Sequence, residues 1–141
     1  MKKKILISTG GSGGHVIPAT TIYDHLKNNF EVIISTDVRG LNYLEVEKHK
    51  IFEIDTPKLN KSILLPYRIL KVFFLTLKSL LLFKKQKIQI LISTGGYMSL
   101  PLCFAAKISG IKIFLLEPNM VIGRANKFFL NFCEKIICYS N

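Results

Sequence analysis

Four glycines fall within five residues at Gly10-Gly11-Ser12-Gly13-Gly14, after the apolar run Ile5-Leu6-Ile7 and directly before His15. A residue without Cβ lets backbone N–H groups close on an anion, and a helix starting behind them adds partial positive charge. Strand, glycine turn and helix in that order predict a phosphate-cradling corner. It is not a Walker-type loop, because no Gly-Lys-Ser/Thr follows. It also misses GxGxxG, since Val16 stands where the third glycine would fall. A second corner of the same make lies at Leu91-Ile92-Ser93-Thr94-Gly95-Gly96-Tyr97. Two such corners on one sheet, with Gly10, Gly11, Gly95, Gly96 and Tyr97 around the anion, predict a pyrophosphate or two phosphorylated ligands.

Side chains beside the corners offer further chemistry. His15 can act as a general base or hydrogen-bond a phosphate or hydroxyl; it can equally cap the first helix. Tyr97 and Ser99 carry hydroxyls that can orient a sugar, or fill core and capping roles. Asn119, in the turn Glu117-Pro118-Asn119, can read a hydroxyl or stabilise its own turn, and Glu117 is a candidate acid/base group or helix cap. Asp37, at the end of the second predicted strand, fits a dinucleotide ribose or a helix N-cap. His25 reads as an ordinary helix residue. Cys103, Cys133 and Cys138 lack metal-ligand spacing, so no metal site is predicted, and they read as reduced thiols.

These residues need a scaffold, and the alternation of short apolar runs with helical segments supplies one. Strands are predicted at Lys4–Ser8, Glu31–Ser35, Ile51–Asp55, Ile88–Ser93, Lys112–Leu116 and Lys135–Tyr139. Helices are predicted at Ile17–Asn28, Leu41–His49, Pro66–Phe83, Leu100–Ser109 and Gly123–Phe132. Pro18 and Pro66 suit first turns, and Gly110 suits a C-terminal cap. The pattern is an α/β fold with a doubly wound parallel sheet, spanning residues 1–141 as one domain. Ligands are expected at the carboxyl ends of its strands, where both glycine turns fall.

The chain of 141 residues is 49% hydrophobic and carries a net charge of +11. That charge favours anionic partners. No nucleic-acid motif or exposed aromatic platform accompanies it, so nucleic acid is not an expected partner. Residues 63–85 are apolar nearly all round, with Arg68, Lys71, Lys78 and Ser79 as a narrow polar stripe. A span needs roughly 20 apolar residues. Interior cations, each costing about 2.5–3.5 kcal/mol at a bilayer centre, argue against spanning. The composition predicts a helix lying on an anionic lipid surface through Ile69, Val72, Phe73, Phe74 and Leu77; a buried core helix or a partner interface is the alternative. Met1-Lys2-Lys3-Lys4 is not read as a signal peptide, because Ile5 to Thr9 is too short an apolar region.

The stretch Thr9-Gly10-Gly11-Ser12-Gly13-Gly14-His15-Val16-Ile17-Pro18-Ala19 resembles the first glycine loop of the MurG family. Those enzymes are the UDP-N-acetylglucosamine:lipid I transferases of peptidoglycan synthesis. Thr94-Gly95-Gly96-Tyr97-Met98-Ser99-Leu100-Pro101 looks like the family's second loop. Glu117-Pro118-Asn119 with Gly123, Asn126 and Lys127 resembles its third motif, although Leu116 and Pro118 replace a usual histidine and glutamine. The resemblance implies the Rossmann-like, acceptor-side N-terminal half of a GT-B glycosyltransferase of family 28, with the donor-binding half lying beyond this chain or on another chain. It implies N-acetylglucosamine transfer from UDP-N-acetylglucosamine, a substrate rather than a cofactor, to the muramoyl C4 hydroxyl of lipid I, without a metal. Ser12, Gly13, Gly14 and Asn119 match positions that touch the UDP-sugar, and His15 matches a histidine considered for catalysis. The lipid diphosphate would meet the glycine loops, and the protein would be peripheral at the cytoplasmic face of the inner membrane. A non-catalytic membrane-recruiting module that pairs with a catalytic chain, and a dinucleotide-binding domain using Asp37, are the other readings. Without its second half the chain is expected to be inactive.

Overall fold

A computed structural model describes residues 2–138. Six parallel strands run in the order β3-β2-β1-β4-β5-β6: β1 (Lys4–Ser8), β2 (Glu31–Thr36), β3 (Ile51–Glu53), β4 (Ile90–Ser93), β5 (Lys112–Glu117) and β6 (Lys135–Cys138). The helices are α1 (Gly13–Leu26), α2 (Val38–Leu41), α3 (Leu65–Gln86), α4 (Leu100–Ile108) and α5 (Arg124–Phe129). Tyr139, the last residue of the predicted sixth strand, lies outside the described residues.

The strands are near-continuous runs of Ile, Leu and Val because both faces of a parallel sheet are covered. Leu6, Ile33, Leu91, Ile113 and Leu115 point toward α3, α4 and α5, packing with Phe83, Leu102 and Phe129. Ile5, Ile7 and Val32 point the other way, toward α1. The strand order reverses between β1 and β4, which pair in register from Ile5↔Ile90 to Ser8↔Ser93. Both glycine turns leave the carboxyl ends of these two central strands, the place where open α/β sheets bind ligands.

Three expectations need correction. First, α1 starts at Gly13, four residues before the prediction, so Pro18 sits inside the helix. Its missing N–H cannot reach the Gly14 carbonyl. Second, the helix predicted over 41–49 is instead the four-residue α2 and a separate turn at Val46–Lys48. Asp37 caps α2 through its side chain, and Gly40 is buried where any Cβ would collide with Thr36 Oγ1. That close approach places α2 earlier than apolar spacing alone suggests. Third, Val72 and Ser79 of α3, expected on the lipid-facing surface and in the polar stripe, are buried with Thr76 and Phe83, while the rest of the expected outward apolar set is exposed. Ser79 is fully buried rather than part of a polar stripe. Thr76 and Ser79 satisfy their hydroxyls on the Val72 and Leu75 carbonyls, and small α4 residues such as Ala105 and Ala106 lie in the same core. Gly110 does end α4 as expected, with φ +65 and the Ile111 N–H on the Ala106 carbonyl at 2.9 Å.

Candidate functional site

The first loop needs glycine at Gly10 (φ +150) and Gly11 (φ +83), because L side chains rarely adopt this backbone. Ser12 is extended before α1, but its hydroxyl makes no capping bond. The first-turn N–H groups of Gly13 and Gly14 therefore have no intrahelical partner. The next residue, His15, reaches across to the end of β4, its Nδ1 2.7 Å from the Thr94 carbonyl. A carbonyl only accepts, so Nδ1 carries the proton and Nε2 of the neutral ring carries the lone pair. The Thr94 hydroxyl closes the gap from the other side, 3.0 Å from Thr9 Oγ1.

The second loop turns through Gly95 (φ +85) and Gly96 (φ +77). Tyr97 follows, and its hydroxyl accepts from Arg39 Nη2. The Arg39 Nε donates to Asp37 Oδ2 at 3.1 Å. Asp37 Oδ1 in turn accepts the Gly11 and Gly40 N–H groups, each at 2.9 Å. Asp37, Arg39 and Tyr97 thus tie the ends of β1, β2 and β4 into one bonded chain.

The third loop is organised by Glu117, 1% exposed. Its Oε1 accepts from the Asn119 N–H and Nδ2, and its Oε2 accepts from the Gly123 N–H and Asn126 Nδ2. Burial pushes this carboxyl up, but the hydrogen bonds from Gly123, Asn119 and Asn126 outweigh it and hold the group below its ordinary 4.5. Glu117 is therefore an ionised anchor, not a general acid. A cavity of about 600 Å³ opens over these loops, lined by His15, Gly96, Tyr97 and Asn119 and by the apolar Leu100, Phe104 and Phe128.

The profile of the glycosyltransferase family 28 N-terminal domain matches residues 5–138. This chain belongs to that family. A UDP-N-acetylglucosamine–N-acetylmuramyl-(pentapeptide) pyrophosphoryl-undecaprenol N-acetylglucosamine transferase from Pelagibacter ubique is 55% identical over 142 residues, covering 100% of this chain and 40% of that protein. The protein of the same name from Rickettsia bellii is 37% identical, covering 99% of this chain and 39% of that one. The crystal structure of Acinetobacter baumannii MurG shares the fold, with a TM-score of 0.83 at 24% identity, over 99% of this chain and 42% of that one. The family 28 chain thus spans about two fifths of the length of its curated relatives, and its fold is the N-terminal half of a GT-B enzyme.

Against this frame the predicted residues divide. His15, Gly96, Tyr97 and Asn119 line one cavity. Gly11 is a correction: its N–H, expected to grip a pyrophosphate, is already given to Asp37. Gly10 packs against the same carboxylate, where a Cβ would lie 2.9 Å from Oδ1, and Gly95 packs against Asn126 in the same way at 2.9 Å. These three shape the loops from within. Gly13 and Gly14 belong to the helix rather than to the turn. Asp37 is 2% exposed with both oxygens engaged, which removes it as a ribose ligand. Val72 is buried at 7%, so it leaves the expected lipid-facing set, whereas Ile69, Phe73, Phe74 and Leu77 are exposed. Cys103 is a core thiol, pushed up to about 12 by burial. Sequence reasoning missed Arg39, Lys58, Arg124 and the wall residues Leu59, Phe104 and Phe128. Among these only Arg39, two residues beyond Asp37, carried a local signal.

The Glu117 anchor gives a pH prediction. A carboxyl held low in the fold stabilises it above the unfolded value, and that stability is lost as pH falls through the folded value. Urea midpoints are expected to drop below about pH 4.5, with a shallower acid slope in Glu117→Gln. Glutamine would also turn an NH₂ toward existing donors, costing about 1–3 kcal/mol at neutral pH. An unchanged acid slope in this variant would contradict the assignment.

Proposed function

We propose that this domain is the acceptor-side half of a transferase that moves N-acetylglucosamine from UDP-N-acetylglucosamine to an undecaprenyl-pyrophosphoryl muramyl-pentapeptide. The observation that carries the reading is the shared cavity. His15 with a free Nε2, Gly96, Tyr97 and Asn119 border it at the switch point of the sheet. The names of the close relatives supply the substrates. In this mechanism the acceptor C4 hydroxyl attacks the anomeric carbon and its proton passes to His15 Nε2. The new glycosidic bond forms as the bond to UDP breaks, and UDP leaves. The Gly13 and Gly14 amides and Asn119 hold the donor side, and Gly96 and Tyr97 border the acceptor. Joined to a nucleotide-sugar half, on one chain or two, the domain is expected to transfer labelled N-acetylglucosamine to a lipid-linked acceptor. No transfer from a folded, complete pair would reject the reading.

The proposal places the domain on an anionic membrane surface at the cytoplasmic face. Its support is the outward face of α3, where Ile69, Phe73, Phe74 and Leu81 are 54%, 56%, 59% and 70% exposed. Three cations of α3 turn toward neighbouring segments: Arg68 donates to the Lys58 carbonyl, Lys71 lies 3.6 Å from Asp55, and Lys78 sits over the Phe52 ring. Among the described residues no helix is long and apolar enough to cross a membrane, so contact would be lateral. Co-sedimentation with anionic vesicles is expected, and Phe73→Glu with Phe74→Glu should lower bound protein at least about tenfold. Unchanged sedimentation of the double variant would remove α3 as the contact.

A further inference from the structure

We propose that the apolar wall of the cavity is a subsite for the isoprenoid segment next to a lipid-linked diphosphate, with Lys58 and Arg124 bracketing the diphosphate at its rim. This inference rests on the transferase reading and adds to it a place for the lipid. Leu59, Leu100, Phe104 and Phe128 form the wall. Leu59 and Phe128 are 41% and 56% exposed, so carbon surface stands open in the same cavity as Gly96 and Tyr97. Phe104 packs edge-on against Phe128 at 5.7 Å and Phe129 at 5.1 Å, so the aromatic wall is braced from behind. A sugar or peptide needs hydrogen-bonding groups along its length, whereas a prenyl chain needs the carbon wall seen here.

Charge points the same way. Lys58 Nζ lies 5.7 Å from the Tyr97 ring centroid, and Arg124 lines the same cavity. Among the described residues neither forms an ion pair with a carboxylate. Two cations without carboxylate partners on the lining of a cavity with an apolar wall complement a diphosphate on an apolar chain. The groove also adjoins the exposed start of α3. The Arg68 guanidinium donates to the Lys58 carbonyl at 3.2 Å, and Ile63 and Tyr67, a few residues beyond Leu59, are 96% and 66% exposed. A prenyl chain leaving a bilayer under α3 would therefore meet apolar surface before its diphosphate reaches Gly96 and Tyr97.

The test titrates the chain with inorganic pyrophosphate, with farnesyl diphosphate below its micelle concentration, and with muramyl-pentapeptide phosphate lacking a prenyl chain. Farnesyl diphosphate is expected to bind at least about tenfold more tightly than pyrophosphate. Phe128→Asn and Leu59→Asn, which remove carbon surface without adding charge beside Arg124 and Lys58, should each abolish that gain while leaving pyrophosphate affinity within about twofold. Leu59 lies in an exposed loop, so its variant reports even if Phe128→Asn unfolds. Phe73→Glu with Phe74→Glu should leave the gain intact. Equal affinity for the two diphosphates, binding of neither, or a gain that survives both groove variants would overturn the proposal. So would a gain lost only on α3, or a loss of muramyl-pentapeptide phosphate binding in Leu59→Asn. Lost sugar transfer in the complete pair rejects the transferase reading; intact transfer with no prenyl gain rejects the subsite alone.

Discussion

His15→Ala is expected to lower turnover of the complete transferase pair by about 10²–10⁴-fold, the range for removing a positioned general base. The structural cost of the same change is small. His15 contributes one hydrogen bond between the β1 and β4 loops, at 2.7 Å from the Thr94 carbonyl, worth about 1 kcal/mol. A hundredfold rate loss corresponds to about 2.7 kcal/mol of barrier, so the two effects separate by size. The carbonyl partner also dictates which readout discriminates. Because Nδ1 must donate, Nε2 is the free basic atom facing the cavity. His15→Ala should therefore lower kcat while the apparent affinity for either substrate changes little, a split that a merely structural strut would not produce. A variant that keeps near-normal turnover, or loses activity only through KM, would discard His15 as the base and leave it as a strut between loops.

The sheet was legible because its signal is local. Each run such as Ile5-Leu6-Ile7 or Ile113-Phe114-Leu115-Leu116 is too apolar for a one-sided strand, and each is bounded by turn residues. The glycine turns were legible for a related reason: Gly10, Gly11, Gly95 and Gly96 all hold positive φ, a demand that leaves a mark in residue type. What those loops bind their amides to was not legible. Gly11 and Asp37 are distant in sequence, and only the β1–β2 pairing, Ser8↔Ser35 in register, brings the carboxylate under the amide. The orientation of α3 was legible in part: Ile69, Phe73, Phe74 and Leu77, assigned outward, are exposed, whereas Val72, assigned with them, and Ser79, assigned to a polar stripe, are buried with Thr76. The inward face is decided by what α4 offers, and α4 offers small side chains. The cavity wall is least local of all, assembled from a loop before α3, from α4 and from α5.

Asp37→Ala is expected to cost about 2–4 kcal/mol in stability and to loosen the site as well. Removing a helix N-cap costs about 1 kcal/mol, and leaving a second N–H without its acceptor adds about 1–3 kcal/mol. Both losses apply here, since Oδ1 serves the Gly40 and the Gly11 amides at once. The Asp37–Arg39 ion pair adds little to this sum, because Arg39 is half exposed, at 49%, and screened by water. Its effect is positional: Arg39 freed from Asp37 no longer holds the Tyr97 hydroxyl, so the second loop loses its tie to the first. Chemical denaturation should show the stability loss. Asp37→Asn, which keeps Oδ1 as acceptor, should recover most of it without recovering the Arg39 contact. The pair of variants separates a carboxylate that builds the loops from one that reads a ribose. Calorimetry with NAD should give no heat for the parent chain or for either variant. Heat in the parent that Asp37→Asn abolishes would restore the dinucleotide reading, because an amide at this position can still cap α2 but replaces one ribose acceptor with a donor.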